Sequence, residues 1–239
     1  MTEELFRTDS YLTTCEATVI AAAPEGIRLD RTVFYPMGGG QPGDTGRLVV
    51  AGAGTEVPIV DTRKDPESGD ILHLPGEGAV LPAVGATVTA EIDWDRRHRL
   101  MRMHTCLHLL SSLVAGGVTG GSVGDGKGRL DFDLPEKTVD KEGLTAALND
   151  LIARDAPVSM RWITDDELSA QPELVRTMSV APPTGSGRVR LMEVAGIDLQ
   201  PCGGTHVART GEIGPVVVTK IEKKGRQNRR VNLAFAPVG

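Results

Sequence analysis

The hydrophobic pattern of the chain changes period at Trp94, and that change constrains the fold more than any other feature. Before it come "EATVIAAAPEGIRLDRTVFYP", "RLVVAG", "EVPIVDTRK", "ILHLPG" and "ATVTAEIDW", short runs of β-formers bounded by Gly, Pro or Asp. Such a series of strands with regular turn signals suggests a small β-barrel or a sandwich over residues 1–93, and the barrel is the expectation carried forward. After it, Leu100, Met103, Leu107, Leu110 and Val114 recur at three- and four-residue steps, an amphipathic helix pattern closed by "GG". A second helix is predicted over "VDKEGLTAALNDLIARD", with Asp140 as its N-cap. A shorter one is predicted over "TDDELSAQPEL", where Pro172 interrupts the pattern. Strands return in "RVRLMEVAGIDL", "GPVVVTKIEKK" and "RRVNLAFA". The predicted fold class is α+β: a small N-terminal β-barrel, then a domain over residues 94–239 with an antiparallel sheet and packed helices.

Composition narrows the function classes. The chain has 239 residues, 40% hydrophobic and 24% charged, which fits a soluble globular protein with a substantial core. Aromatics are only 3%, so Val, Leu, Ile and Ala must build that core. No stretch approaches the roughly 18 consecutive apolar residues that a membrane helix needs. The segment "MTEELFRTDS" is acidic and polar, unlike a secretory signal, and the expected location is the cytoplasm. The three cysteines are scattered, which argues for metal binding or burial over a disulfide framework.

"MRMHTCLHLL" puts His104 and His108 four apart inside an apolar run. On a helix they are neighbours one turn apart, beside one edge of the buried stripe, close enough to grip one ion. That spacing alone is a weak signal. It is sharpened by "CGGTH", where Cys202 and His206 stand four apart around a glycine pair that lets the backbone turn tightly. One thiolate and three imidazoles form an ordinary tetrahedral zinc set. Four protein ligands would close the tetrahedron, whereas a catalytic ion usually keeps a position for water. Thr105, Cys106 and Leu107 stand between the first two histidines, with no glutamate base among them, so no catalytic residue is assigned. Cys106 points away from both and reads as a small buried hydrophobe. His73 and His98 receive no role.

The net charge of −6 conceals one basic stretch. In "KIEKKGRQNRR", Lys220, Lys223, Lys224, Arg226, Arg229 and Arg230 face a single Glu222, a window of +5 against −11 for the remainder. Such a chain can hold a polyanion at one place and repel it elsewhere, although a solvated strand–turn–strand explains the charge equally simply.

Four motifs in order, "FYPMGGGQPGDTG", "MHTCLHLL", "PCGGTHVARTGEIG" and "KIEKKGRQNRRV", resemble the editing domain of alanyl-tRNA synthetases. The resemblance is greatest to its free-standing relatives, the AlaX-type editing proteins, and covers the chain from "TVFYP" onward. Threonyl-tRNA synthetase editing domains share the histidine and cysteine pattern but are less like the "GGGQPGDTG" segment. The resemblance implies a zinc-dependent trans-editing hydrolase that cleaves the ester of mischarged tRNA(Ala), carrying serine and sometimes glycine. It implies that residues 94–239 are the zinc-binding editing domain, with His104, His108, Cys202 and His206 as ligands. Gly38, Gly39, Gly40 and Gln41 would line the substrate site. Met37, directly before them, is where the pattern departs, and substrate preference could turn on it. Thr105 either supplies a hydroxyl that distinguishes serine from alanine or bonds back to its own helix. The basic stretch would position tRNA through its phosphates. Two other readings stay open on the residues: a zinc hydrolase of small esters or amides, and a non-catalytic RNA-binding module with a structural zinc.

Overall fold

The strand signals before Trp94 fold as a closed barrel. In a computed structural model, which describes residues 2–52, 54–134, 140–178 and 187–237, the chain divides into two units, Met1–His98 and Arg99–Gly239. The first contains strands β1 (Glu3–Glu4), β2 (Thr14–Ala23), β3 (Gly26–Leu29), β4 (Arg31–Thr32), β5 (Gly46–Val50), β6 (Glu56–Lys64), β7 (Ile71–Pro75) and β8 (Thr87–Ile92). Six of them close in the order β2-β3-β7-β6-β5-β8, and β1 and β4 pair in parallel beside them. Alternation decides the faces. In β6, Val57 and Ile59 are buried while Glu56, Pro58 and Val60 face solvent. Val19, Ile27, Leu29, Leu48, Val88 and Ile92 fill the same interior.

Two polar devices sit inside this unit. His73 is fully buried, with Nδ1 donating to Ile27 O at 2.9 Å and Nε2 2.7 Å from the Thr32 hydroxyl. Burial drives its pKa down to about 4. Arg97 is also fully buried: its Nε lies 3.0 and 2.9 Å from the Asp44 oxygens, and its other nitrogens donate to Val33 O at 2.7 Å and Ser10 O at 3.0 Å. Asp44 further accepts from Tyr35 N at 2.6 Å. Every guanidinium nitrogen therefore has an acceptor, which is what a charge out of water requires.

The second unit begins inside α1 (Trp94–Leu113) and takes in its residues from Arg99 on. It comprises β9 (Val118–Gly124), β10 (Lys127–Asp133), α2 (Lys141–Ala153), β11 (Val158–Thr164), α3 (Asp165–Ser169), β12 (Arg188–Val194), β13 (Asp198–Pro201), β14 (Val216–Lys223) and β15 (Asn228–Phe235). An antiparallel sheet runs β14-β15-β10-β9, and a second runs β11-β12-β13. Asp140 caps α2 as expected, accepting from Glu142 N and Gly143 N. Asn149 of α2 exchanges hydrogen bonds of 2.9 and 3.0 Å with the backbone of Val216, tying the helix to β14. The short helix ends before Pro172, and residues 172–174 form a separate 3-10 turn. The α+β class and the barrel agree with the sequence expectation.

One expectation is corrected. The pattern of α1 reads as amphipathic, yet every residue from Met103 to Ser111 is buried, polar ones included. The helix has no solvent face there, so each of its polar side chains must find a partner. Among the described residues, no helix is long and apolar enough to cross a membrane.

Candidate metal centre

The third and fourth turns of α1 carry His104 and His108, and the loop leaving β13 carries Cys202 and His206 toward them. The loop is held by Arg190 of the neighbouring strand β12. Cys202 N donates to Arg190 O at 3.0 Å, and the buried Arg190 guanidinium donates to Gly204 O at 2.6 Å. Gly204 N in turn points at Cys202 Sγ, 3.5 Å away.

The four side chains converge so that their ligand atoms all lie within 4.8 Å of one another. Cys202 Sγ is 3.6 Å from His104 Nε2 and 3.1 Å from His206 Nε2. Ring centroids are 5.4 Å apart for His104–His108, 4.3 Å for His104–His206 and 5.1 Å for His108–His206. Bonds of the usual zinc lengths at tetrahedral angles would separate such donors by about 3.3–3.7 Å, so the cluster has the size of one ion.

Outer contacts fix which ring nitrogen faces inward. His108 Nδ1 lies 3.3 Å from Asp198 Oδ2. Asp198 has no exposed side-chain surface and also accepts from Gln200 Nε2 at 2.7 Å, whose amide reaches Ser111 Oγ at 2.6 Å. With Nδ1–H on Asp198, Nε2 of His108 is left for the cluster. His206 Nδ1 lies 3.2 Å from the Thr105 hydroxyl. That hydroxyl also donates to Met101 O at 3.0 Å and accepts from Val207 N at 3.3 Å, inside a fully buried residue.

The electrostatics favour a thiolate at Cys202. Burial alone would raise the Cys202 thiol, but the interactions with the neighbouring His104 and His206 rings hold it well below its ordinary value, toward the thiolate. Burial takes His206 down to about 3, against the pull of the Cys202 sulfur, and keeps it neutral. Burial also opposes charge on His108, yet hydrogen bonds to Asp198 and Cys202 lift it to about 9. Cys106 points elsewhere, fully buried, with burial pushing its thiol up to about 12. The group is therefore a set of three imidazoles and one thiolate that could hold a metal ion.

The other predicted residues fall as follows. Gly38 and Gln41 exchange backbone hydrogen bonds of 3.1 and 2.9 Å around Gly39 and Gly40, whose φ angles are 56° and 82°. This is a two-residue turn with positive φ at both central positions, which glycine adopts without strain. Gly39 and Gly40 are exposed, Gly38 is half-buried and Gln41 is buried. In the basic stretch, Lys220 and Lys224 pair with Glu222 at 3.0 and 3.3 Å, and Arg230 pairs with Asp131 at 2.7 Å. Arg229 donates to the carbonyls of Asn228 and Gly225. Lys223 and Arg226 are exposed and have no ion pair among the described residues. Sequence reasoning missed Asp198 and Arg190. Both stand in strands where a lone charged residue reads as solvent-facing, and only the tertiary partners reveal them.

Relatives of the chain fit this picture. Residues 189–232 match the family described as threonyl and alanyl tRNA synthetase second additional domain, and residues 9–96 match tRNA synthetases class II (A). The chain is 39% identical over 240 residues to an alanyl-tRNA editing protein AlaX-M of Methanosarcina barkeri, covering 97% of this chain and 98% of that one. Against the AlaX-M protein of Saccharolobus solfataricus it is 35% identical over 241 residues, covering 99% and 100%. An alanine–tRNA ligase of Saccharolobus islandicus is 33% identical over 232 residues, which is 93% of this chain but 25% of the ligase. The chain belongs to the family of AlaX-M alanyl-tRNA editing proteins.

Proposed function

We propose that this chain is a trans-editing aminoacyl-tRNA deacylase that hydrolyses mischarged tRNA(Ala), chiefly Ser-tRNA(Ala) and also Gly-tRNA(Ala). The observation that carries the reading is the four-donor cluster, in a chain whose relatives are named for alanyl-tRNA editing. Hydrolysis breaks the bond between the amino acid's carboxyl carbon and a ribose oxygen. Water supplies OH to the carbonyl carbon and H to the sugar oxygen, releasing serine and uncharged tRNA.

His104, His108, Cys202 and His206 would hold zinc, the ion that one thiolate and three imidazoles suit best. Zinc so bound supplies Lewis-acid polarisation and a fixed point for placing the ester. The chain's own residues do the positioning. Asp198 and Thr105 lock the His108 and His206 rings through their outer nitrogens, and Arg190 pins the glycine turn between Cys202 and His206. Gly38, Gly39, Gly40 and Gln41 are assigned to substrate binding; Thr105, fully buried and bonding back to Met101 O of its own helix, holds the His206 ring and does not reach substrate. Lys220, Lys223, Lys224, Arg226, Arg229 and Arg230 are assigned to tRNA phosphates, with Lys223 and Arg226 carrying the most uncompensated charge.

A second reading, a non-catalytic RNA-binding module with a structural zinc, is favoured by one feature: four protein donors already complete a tetrahedron. One experiment separates the two. Purified protein is incubated with Ser-tRNA(Ala) and with Ala-tRNA(Ala), and free amino acid is measured before and after chelation. Serine release with alanine spared, lost on chelation, is the expected result. Survival of both esters would overturn the deacylase reading.

A further inference from the structure

Eight aromatic residues occur in the chain, and Trp162 alone among them is exposed, at 46% of its surface. A half-exposed indole on a sheet face offers a large, rigid contact surface with a polar edge. Trp162 on β11 pairs directly with Arg190 on β12, and Thr164 pairs with Arg188, so Trp162, Arg188 and Arg190 share one face. The same face continues through the pairs Met160–Met192 and Met192–Gln200 to Asp198 opposite Val194. Gln200 and Asp198 bond Ser111 and His108 of α1, so this is the face that carries the metal cluster. The opposite face holds Ile163, Val189, Leu191 and Leu199, packed with Leu168 and Leu174.

Trp162 is thus one side chain removed from the "CGGTH" turn. Its cross-strand partner Arg190 donates to Gly204 O at 2.6 Å, midway between Cys202 and His206. The guanidinium of the exposed Arg188 lies over the ring, 5.4 Å from its centroid, so a base would stack on the open face of the indole or on the outer plane of the guanidinium. An exposed indole next to an exposed guanidinium is the pair of surfaces on which unpaired nucleobases stack, independently of sequence. The basic turn around Lys223 and Arg226 is on the other sheet and offers phosphate contacts only.

We infer that Trp162, flanked by Arg188, is a stacking platform for a base of the unpaired 3′ strand of tRNA, placing the aminoacyl end at the cluster. The inference rests on the deacylase reading and adds a specific contact to it. A Trp94→Phe protein leaves Trp162 as the only tryptophan and reports on it by fluorescence. Uncharged tRNA should quench its emission, and the same tRNA trimmed of its unpaired 3′ nucleotides should not. In deacylation, Trp162→Ala should raise KM for Ser-tRNA(Ala) about tenfold while kcat is retained, and Trp162→Phe should recover most of the loss. If the parent protein releases serine but Trp162→Ala has an unchanged KM, the platform is wrong and the deacylase reading stands. If the parent releases no serine from Ser-tRNA(Ala), that reading fails by itself. Equal quenching by whole and trimmed tRNA would overturn the platform. So would loss of a dimer on Trp162→Ala in sedimentation, which would assign the ring to a second copy of the chain.

Discussion

Replacing Asp198 by Asn changes one buried atom and a charge, and its effect on metal binding follows from the contacts around it. Asp198 Oδ2 accepts from His108 Nδ1 at 3.3 Å and from Gln200 at 2.7 Å, while Oδ1 lies 3.7 Å from Arg176 Nη2. An asparagine can keep its oxygen toward His108 and Gln200, but its amide nitrogen then faces the Arg176 guanidinium, donor against donor. The bond to His108 also falls from charged to neutral. Hydrogen bonds to an ionised group contribute about 1.5–3 kcal/mol and neutral ones about 0.5–1.5, so the difference is about 1–2 kcal/mol. That corresponds to zinc affinity weakened about 5- to 30-fold, in line with what outer-shell carboxylates contribute elsewhere. The assay is zinc competition against a chromophoric chelator, with circular dichroism confirming that Asp198→Asn folds. Unchanged zinc affinity in a folded variant would refute the idea that Asp198 orients His108 for a metal.

His73 should make the barrel sensitive to acid. Its folded pKa of about 4 lies below the ordinary 6.5, so the unfolded chain takes up a proton that the folded chain refuses. The stability is complete above pH 6.5 and falls as pH drops toward 4, by about 3 kcal/mol in total. Urea melts across that range should show the slope, and His73→Gln should flatten it; an equal slope in both would discount the residue. Asp44→Ala should cost about 3–5 kcal/mol, because it strands the buried Arg97 charge. A loss below about 1 kcal/mol in chemical denaturation would mean that water reaches the guanidinium, which a buried charge does not allow.

How much could be read beforehand varied with how local the cause was. The β6 strand, Glu56–Lys64, coincides with its alternating segment, and the Asp140 cap was visible because capping is decided within three residues. The four cluster residues were legible for a different reason: histidine and cysteine are rare here and repeat at matching spacing. The hairpin of β9 and β10 was not legible. Glycines at 120, 121, 124 and 128 erase its strand signal, and for Gly128 the reason is tertiary. A Cβ on Gly128 would come within 2.9 Å of Met103 Sδ, so a side chain there would force the buried Met103 to shift where this strand lies against α1. For the same reason α1 looked amphipathic: the periodicity marks its most apolar stripe but does not say what covers the rest. Asp198 and Arg190 stayed hidden because a charged residue in a strand declares its burial only through partners dozens of positions away.

The spacing of the cluster has a consequence for the order of events in making the protein. His108 and Cys202 are separated by most of the second unit, and the turn bearing Cys202 is held in place by Arg190 of β12. A chain emerging from the ribosome therefore exposes a two-histidine half-site long before the other half exists. Only when translation has passed His206, and β13 has joined β12, can all four donors meet. Binding of an ion by all four donors would then be a late step in the birth of the protein. An ion captured there would cross-link a span of roughly a hundred residues, a restraint worth about 4–5 kcal/mol by the chain-entropy argument used for disulfides of that reach.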